Sequence, residues 1–408
     1  MKVEMIAGWE DPEEIIGDLD VSRVHGKEIV SVQLSSSWMK NHGNLFLDPD
    51  IEMYSGPQYP ADGKVMFGFL SDSSPDRWGR RLLERSERIQ AEKEKRKPHR
   101  LNDSDYLLGI SDELRYGGIR FRDPVTGQYL SDSDEKVPPM TDLRMLEEAA
   151  RGYELSDQDV KAIRVLLSPG SSLGGARPKA NVRDTDGSLW IAKFPSKNDR
   201  IDIGAWEMTE HDLAGLCGIN VPEAKIVHLS DYGTTYLSRR FDRGNGMRKH
   251  LMSALTALDM TDGNTDGTSY LDIAGFLEEY SAQPVKDLQE LWRRITFNVL
   301  TSNCDDHLRN HGFILEKDGW HLSPAYDLNP AMDQNELSLN ITDTDNRRTI
   351  ENVLSVPALF RLSDSEAFEN LRNMRNIIHH NWRKIAAGYG IREHEIHEME
   401  SAFALCDL

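Results

Sequence analysis

The segment 302–310 (SNCDDHLRN) places an aspartate and an asparagine at a spacing that phosphoryl-transfer enzymes use. Asp305 and Asn310 stand five residues apart. In a kinase catalytic loop with this spacing, the aspartate orients the acceptor hydroxyl and the asparagine holds a metal ion. Such pairs also arise by chance and cap turns or helices. The spacing therefore indicates phosphoryl transfer only if the rest of a nucleotide site accompanies it.

A second carboxylate, Asp327, follows this loop after a hairpin-like stretch. The stretch 311–321 carries Asp318-Gly319 at its turn, a dipeptide typical of tight hairpins. We therefore expect Asp305 and Asp327 to lie at opposite ends of one hairpin. That arrangement would bring both carboxylates to the terminal phosphate of a nucleotide.

Upstream, a loop rich in small residues leads into strand-like segments. Residues 168–179 read SPGSSLGGARPK, and glycines let backbone amides approach phosphate oxygens. The loop matches neither a Walker A motif nor G-x-G-x-x-G, so a plain flexible loop is the alternative. Lys193 lies in the apolar segment 190–195 (WIAKFP), where an unpaired lysine is uncommon. It fits the phosphate-binding lysine of kinases, or a lysine that snorkels from a strand edge.

Further kinase elements follow in the expected order. Glu207, in a helix predicted over 203–217, is placed to pair with Lys193, although helices carry many glutamates. The sequence RRFD (239–242) closes the next predicted hairpin. It would form a hinge whose backbone contacts the adenine of ATP, and Asp242 would reach the ribose. A surface turn is the alternative.

Two basic residues lie within the Asp305–Asn310 loop. We interpret His307 as a structural residue that bonds the Asp327 region, in preference to an acid–base group. Arg309 occupies the place where many kinases keep a basic residue that points at the transferring phosphate.

The composition is that of a globular chain with room for two or three domains. It has 408 residues, 28% charged and 38% hydrophobic, and three scattered cysteines, too few for a disulfide framework or a metal cluster. Neither a membrane span nor a signal peptide is recognisable. The formal net charge of −20 argues against broad contact with nucleic acid. We expect a cytoplasmic protein, and interpret its one basic run, 93–100, as a solvated helix and loop.

The elements that must position these residues fall into three predicted regions. The first, 1–122, includes a strand at 29–34. The second, 141–242, begins with helices and continues with strands at 179–182 and 189–194, which turn at Asp186-Gly187. The third, 243–408, is mostly helical, and a helix over 285–301 leads into the Asp305 loop.

Together the motifs resemble the HipA family of bacterial toxin kinases, the serine/threonine kinases of type II toxin–antitoxin modules. The resemblance rests on seven stretches: FGFLSDSSPDRWG (67–79), LLGISDE (107–113), SSLGGARPKA (171–180), WIAKFP (190–195), RRFDR (239–243), NCDDHLRN (303–310) and PAYD (324–327). It implies an α+β, two-lobed, protein-kinase-like fold. The small β-rich lobe carries an extra N-terminal subdomain, and the larger lobe is helical.

The resemblance also implies roles for individual residues. Asp305 would be the catalytic base, Asn310 and Asp327 would hold Mg²⁺, and Lys193 would bind the phosphates of ATP. The residues that the resemblance places around ATP are Ser172, Leu173, Gly174, Gly175, Ala176, Arg177, Lys179, Lys193, Glu207, Arg239, Phe241, Asp242 and His307. Arg309 is expected beside them as a catalytic residue.

Two features of this comparison concern regulation and the identity of the base. Ser172 falls on the loop serine that the family autophosphorylates, and a phosphate there would repel ATP. Asp306 stands where the family commonly has glycine, so either aspartate is a candidate base, although the spacing to Asn310 favours Asp305.

The resemblance implies a cytoplasmic protein substrate, such as an aminoacyl-tRNA synthetase. It also implies an antitoxin, often a small DNA-binding protein, through which any contact with DNA would run. The acidic composition suits such a basic partner. Two other functions remain open: an aminoglycoside-type small-molecule phosphotransferase, and a non-catalytic kinase-like binding module.

Overall fold

The computed structural model describes residues 1–131, 137–156, 160–167, 177–244 and 246–407, which form a mixed helix-and-sheet protein. The strands are β1 (Lys2–Ala7), β2 (Glu14–Val24), β3 (Lys27–Leu34), β4 (Ile119–Arg122), β5 (Lys179–Arg183), β6 (Leu189–Lys193), β7 (Ala224–Ser230), β8 (Gly233–Arg239), β9 (Arg243–Gly244), β10 (Met247–Arg248), β11 (Leu251–Ser253), β12 (Gly312–Glu316) and β13 (Gly319–Leu322). The α-helices are α1 (Ser36–Asn41), α2 (Gly68–Asp72), α3 (Arg77–Lys93), α4 (Asp103–Gly109), α5 (Leu143–Leu155), α6 (Val160–Leu167), α7 (Ile203–Leu216), α8 (Ala254–Ala257), α9 (Tyr270–Tyr280), α10 (Pro284–Thr301), α11 (Ile350–Ser355), α12 (Asp364–Gly388) and α13 (Glu393–Glu398). None of the helices in these segments is long and apolar enough to cross a lipid bilayer.

The chain divides into two compact units. Unit 1 comprises Met1–Lys197 and Arg240–Met252, and unit 2 comprises Asn198–Arg239 and Ser253–Leu408. The domains predicted from sequence, 1–122, 141–242 and 243–408, use other boundaries, and they stay a prediction.

Unit 1 contains an antiparallel four-stranded sheet in the order β3-β2-β1-β4. Strand β3 alternates buried apolar with more exposed residues over its second half, as expected when one face of a sheet covers a core. The core includes Met5, Leu19 and Phe121, with Trp38 from α1 and Phe69 from α2 packed on it. Burial of these large side chains stabilises the unit.

A hairpin of β5 and β6 also belongs to unit 1, as the sequence predicted. Gly187 takes a left-handed φ of +85° in its turn, which glycine adopts without the steric cost of a Cβ atom. Helix α3 begins at Asp76, whose carboxylate accepts a hydrogen bond from the Gly79 N–H (2.7 Å). The Trp78 indole on this helix donates to the Lys179 carbonyl at 3.0 Å and so ties α3 to β5.

Unit 2 packs α7 and the β7–β8 hairpin with helices α9, α10 and α12 and the β12–β13 hairpin. The helices predicted over 203–217 and 285–301 are present as α7 and α10. Gly204 is required where α7 meets β8, because a Cβ atom there would lie 2.1 Å from the Thr234 carbonyl oxygen. On the same helix, Trp206 lies beside Phe403, whose ring stacks on that of Trp382 at 4.3 Å.

A buried carboxyl on α7 makes the stability of unit 2 depend on pH. Burial raises the pKa of Glu210 from 4.5 to about 8, offset in part by the nearby Thr301 hydroxyl. Because the folded state binds this proton more tightly than the unfolded chain, the stabilisation is complete below pH 4.5 and is lost as the pH rises through 8.

We expect Glu210→Gln to remove this dependence, since glutamine is neutral at every pH. Between pH 5 and 8 the wild-type free energy of unfolding should fall, relative to the variant, by up to about 1.4 kcal/mol per pH unit. Urea unfolding of both proteins at several pH values measures the difference, and all other titrating groups cancel. Parallel curves for the two proteins would contradict the prediction.

Candidate active site

Helix α10 delivers the chain into the loop that carries Asp305. The helix ends at Ser302, which takes a left-handed conformation (φ 59°) and turns the chain sharply. The next residue, Asn303, donates through its side chain to Asn298 (2.9 Å) and accepts from the backbone N–H of Asn329 (3.1 Å). These bonds fix the start of the loop to α10 and to the segment that follows Asp327.

The two adjacent aspartates point in different directions. Asp305 is exposed, whereas Asp306 is buried. Asp306 Oδ2 accepts hydrogen bonds from the Tyr270 hydroxyl (2.7 Å), from Asn298 Nδ2 (2.6 Å) and from His311 Nε2 (2.8 Å). Asp306 thus holds the loop to α9, to α10 and to the residue that precedes β12, and leaves Asp305 as the more accessible of the two carboxylates.

Electrostatics separate the two carboxyls further. Burial alone would raise the pKa of Asp306, but His311, through its charge and hydrogen bond, and the Tyr270 hydroxyl hold that pKa below its ordinary value. The pKa of Asp305 is instead raised, mainly by desolvation and further by the charges of Asp327 and Asp306, while His307 opposes the shift. A carboxylate with a raised pKa is a better proton acceptor, which suits a general base.

Asn310 closes the loop on Asp305. Its side-chain amide donates to the Asp305 carbonyl at 2.9 Å, and its backbone N–H donates to the His307 carbonyl at 2.8 Å. Because the amide nitrogen is used in this way, Asn310 Oδ1 is the atom that would bind a cation.

Asp327 lies at the far end of the β12–β13 hairpin, which turns at Lys317-Asp318, one residue earlier than predicted. Its φ of 61° is left-handed, a conformation that aspartate tolerates better than most residues. The Tyr326 hydroxyl donates to the Arg309 carbonyl (2.8 Å) and so joins the two loops. The charge of Asp327 contributes to the raised pKa of Asp305, so the two carboxylates interact electrostatically.

Asn310 and Asp327 fit the demands of Mg²⁺, which prefers hard oxygen ligands and commonly keeps waters and substrate phosphates as its remaining ligands. In the described segments no group of three or more His, Cys, Asp or Glu side chains is arranged to hold a metal ion.

We expect His307→Gln to raise the pKa of Asp305, because the variant loses the positive charge that His307 carries when protonated. NMR titration of the side-chain carboxyl carbons measures this pKa directly. Since the base acts when deprotonated, the acidic limb of the activity profile should move to higher pH in the variant. His394→Gln, at an exposed histidine elsewhere in unit 2, is the control. An unchanged or lowered pKa of Asp305 in His307→Gln would contradict the electrostatic assignment.

Arg309, expected at the transferring phosphate, forms a two-point ion pair with Asp262. Its Nε and Nη2 atoms both lie 2.8 Å from the Asp262 carboxylate oxygens. Both side chains are partly exposed, so the pair is weakly held. The predicted contact of Arg309 with phosphate stays a prediction.

Glu207 lies buried on α7, in the same unit as Asp327. Burial first, and then the charges of Glu207 and Asp327, raise the pKa of Tyr236 well above its ordinary value. Both carboxylates therefore affect the pKa of the Tyr236 hydroxyl. The predicted pairing of Glu207 with Lys193 stays a prediction.

The two lysines assigned to phosphates occupy facing positions on the β5–β6 hairpin. Lys179 and Lys193 are direct cross-strand partners, so their side chains leave the same face. Lys193 is half-buried. Lys179 is 3% exposed, and its ammonium lies 2.9 Å from the equally buried Asp76 carboxylate. Lys179 thus forms a buried ion pair with the start of α3, and its predicted role in binding phosphate stays a prediction.

The structure places Asp242 differently from its sequence-based interpretation. It is fully buried, and its two carboxylate oxygens accept from Arg240 (2.9 and 2.7 Å), from Arg243 (2.7 Å) and from the Gly117 N–H (2.9 Å). We therefore assign Asp242 a structural role within unit 1, in place of the predicted ribose contact.

Arg239 and Phe241 are the other hinge candidates. Arg239 is exposed and pairs with Glu223 at 2.9 Å, and Phe241 packs edge-on against Tyr116. Arg177 is half-buried. The predicted phosphate-loop residues Ser172, Leu173, Gly174, Gly175 and Ala176 lie outside the described residues.

Sequence reasoning missed the residues that hold the loop in place. Tyr270 and Asn298 bond Asp306 across 36 and eight residues of chain. No short motif links them, because the contact depends on how α9 packs against α10. A usable signal was present at His311, five residues after Asp306, at the start of the predicted hairpin.

Comparison with known proteins adds to this geometry. Residues 171–389 match the family model of the HipA-like C-terminal domain. The chain is 28% identical over 190 residues to the serine/threonine-protein kinase toxin HipA of Shewanella oneidensis (39% of this chain, 43% of that protein). It is also 28% identical over 155 residues to a putative kinase of Sinorhizobium fredii (35% and 37%). The aligned regions thus span less than half the length of these two relatives.

The fold is also shared with a solved structure. A chain of the Shewanella oneidensis toxin–antitoxin complex of HipA, HipB and operator DNA matches with a TM-score of 0.68 and 21% identity, covering 99% of this chain and 96% of that one. The mixed helix-and-sheet fold and the family resemblance predicted from the motifs are thereby confirmed. Because the family model covers more than half of the sequence, the chain belongs to the HipA-like family.

Proposed function

We propose that this chain is an ATP-dependent serine/threonine protein kinase that acts as the toxin of a toxin–antitoxin module. The observation that carries the proposal is the loop in which Asp305 is exposed, Asp306 is buried and bonded, and Asn310 is anchored to the Asp305 carbonyl. Named relatives include a kinase toxin and a putative kinase, which supports the same chemistry.

In the proposed reaction, Asp305 accepts the proton of a serine or threonine hydroxyl as its oxygen attacks the γ-phosphorus of ATP. The new P–O bond forms while the bond to the β-phosphate oxygen breaks, and ADP leaves. Asn310 and Asp327 would hold Mg²⁺, which neutralises charge on the phosphates. Because Asn310 donates to the backbone of Asp305, one side chain positions both the base and the cation.

We further propose that the substrate is a cytoplasmic protein, such as an aminoacyl-tRNA synthetase, whose phosphorylation slows translation and growth. The solved relative is a complex of HipA, HipB and operator DNA, which supports an antitoxin partner here as well. Autophosphorylation of Ser172 would inactivate the enzyme, since a phosphate on that loop repels the phosphates of ATP.

The test is the intact mass of dephosphorylated protein before and after incubation with ATP and Mg²⁺, followed by mapping of the modified residue. We expect a gain of one phosphate at Ser172 that requires Mg²⁺ and is lost in Ser172→Ala. Ser171→Ala is the matched control, one residue away, and should retain the gain. No gain from protein that binds ATP would favour a small-molecule phosphotransferase or a non-catalytic binding module.

A further inference from the structure

A large cleft opens within unit 1. Its volume is about 1150 Å³, and its walls come from the start of β3, the loop 59–65, helix α3 and the loop 98–103. Pockets of several hundred to about 1000 Å³ hold drug-sized molecules. A cleft of this size accommodates several residues of an extended peptide.

One wall of the cleft is built from the basic run singled out in the sequence. Helix α3 ends at Lys93, and the chain then folds back so that Arg96 pairs with Glu87 (Nη2–Oε2 3.0 Å). The His99 N–H donates to the same glutamate at 2.7 Å. These bonds hold Arg100 in the wall of the cleft, so the segment is more than a solvated loop.

The acidic side chains of the cleft are already engaged by neighbours. Glu28 accepts from the Ser104 hydroxyl (2.6 Å), Glu84 accepts from the Tyr106 hydroxyl (2.7 Å), and Asp103 pairs with Arg80 (2.8 Å). Hydrogen bonds of this kind stabilise the charged carboxylate and leave fewer of its lone pairs available to a ligand.

Of the five Lys and Arg side chains that line the cleft, Lys64 and Arg80 are paired, with Asp50 (3.0 Å) and Asp103 (2.8 Å). The other three are placed differently. Lys27, Arg88 and Arg100 line the cleft and are exposed, and the described part of the chain supplies none of them with an ion pair. The five Lys and Arg side chains of the lining outnumber its three carboxylates, Glu28, Glu84 and Asp103, in a chain whose net charge is −20. They give the cleft a local potential that attracts a negatively charged ligand.

Apolar groups face the same space. Ile29, Tyr59 and Val65 line the cleft and are 37%, 57% and 50% exposed. Such side chains gain from being covered by an apolar group. Nucleic acid would place sugars and phosphates there, and the acidic chain as a whole would repel it.

We propose that this cleft is a docking site for an acidic peptide segment of a partner protein, one that carries leucine or phenylalanine among its carboxylates. The carboxylates meet Lys27, Arg88 and Arg100, and the apolar side chains cover Tyr59 and Val65. Binding at this site is independent of the proposed kinase activity, so each can fail without the other.

Fluorescence polarisation with labelled synthetic peptides tests the proposal on the full chain. The probe contains glutamates interrupted by leucine and phenylalanine, and two matched peptides replace either the apolar residues by serine or the glutamates by lysine. A labelled single-stranded oligonucleotide tests the nucleic-acid alternative. The variant Arg88→Glu/Arg100→Glu reverses two cations of the cleft. Arg81→Glu reverses an exposed arginine on the same helix that does not line the cleft.

We expect the acidic apolar peptide to bind in a salt-dependent manner. The double variant should bind it about tenfold more weakly, because it loses two exposed charge contacts. Arg81→Glu should bind as the wild type does, and Tyr59→Ser should weaken the apolar peptide more than its serine version. Equal weakening by Arg81→Glu, or no binding at millimolar peptide, would overturn the proposal. It is also overturned if the oligonucleotide binds more tightly and loses affinity in the double variant.

Discussion

Asp305→Asn should reduce phosphoryl transfer by roughly 10²- to 10⁴-fold, the usual contribution of a general base. The substitution keeps the size of the side chain and removes the proton acceptor. Because Asp305 is exposed, the melting temperature should hardly change, as for most surface substitutions. The measurement is the initial rate of phosphate incorporation, with the thermal unfolding curve recorded on the same preparation.

The neighbouring residue provides the control. Asp306→Asn weakens the three hydrogen bonds with Tyr270, Asn298 and His311, so it should lower the melting temperature. If Asp305→Asn retained full activity while Asp306→Asn abolished it without loss of stability, Asp306 would be the base and the proposed roles would be reversed.

Arg240→Ala should destabilise unit 1 by about 3–5 kcal/mol, the cost of removing one partner from a buried ion pair. The guanidinium is fully buried and donates to both carboxylate oxygens of Asp242, to the carbonyls of Leu114 (2.9 Å) and Arg115 (3.0 Å), and to Asn181 Oδ1 (3.1 Å). Its loss leaves buried acceptors without a donor.

Arg239→Ala is the matched control for this prediction. The residue is adjacent in sequence but pairs with Glu223 at the surface, where both side chains are about half-exposed. Its removal should cost at most about 1 kcal/mol. Urea unfolding of the two variants gives the comparison. Equal losses would mean that the buried cluster of Arg240 does not stabilise the fold as its geometry indicates.

The sequence predicted the parts of this protein that depend on neighbouring residues. The β5–β6 hairpin follows from alternating strands around Asp186-Gly187, and α10 follows from apolar residues at helical spacing. The loop was recognisable because Asp305 and Asn310 stand five residues apart. Patterns of this kind are local, and local patterns predict secondary structure.

Contacts between distant residues were beyond such patterns. Nothing in the sequence near Lys179 indicates that Asp76 holds it, and Arg240 bonds the carbonyl of a residue 126 positions earlier. The same applies to Asp306, whose spacing could not show that it faces inward. A carboxylate at a catalytic position and one in a buried network have the same letter in the sequence, and only packing distinguishes them.

Arg240–Met252 belongs to unit 1 although it follows a segment of unit 2. This order affects how unit 1 can fold during synthesis. Arg240 and the Asp242 carboxylate that it bonds follow the stretch 198–239, which belongs to the other unit. The Leu114 carbonyl that Arg240 also bonds precedes that stretch. During synthesis, the first 197 residues leave the ribosome without this piece. At roughly 5–20 residues per second, the 43 residues from there to Arg240 take about 2–9 s to appear. Over that interval the nascent chain must keep Arg115, Asn181 and their neighbours hydrated or chaperoned until Arg240 arrives.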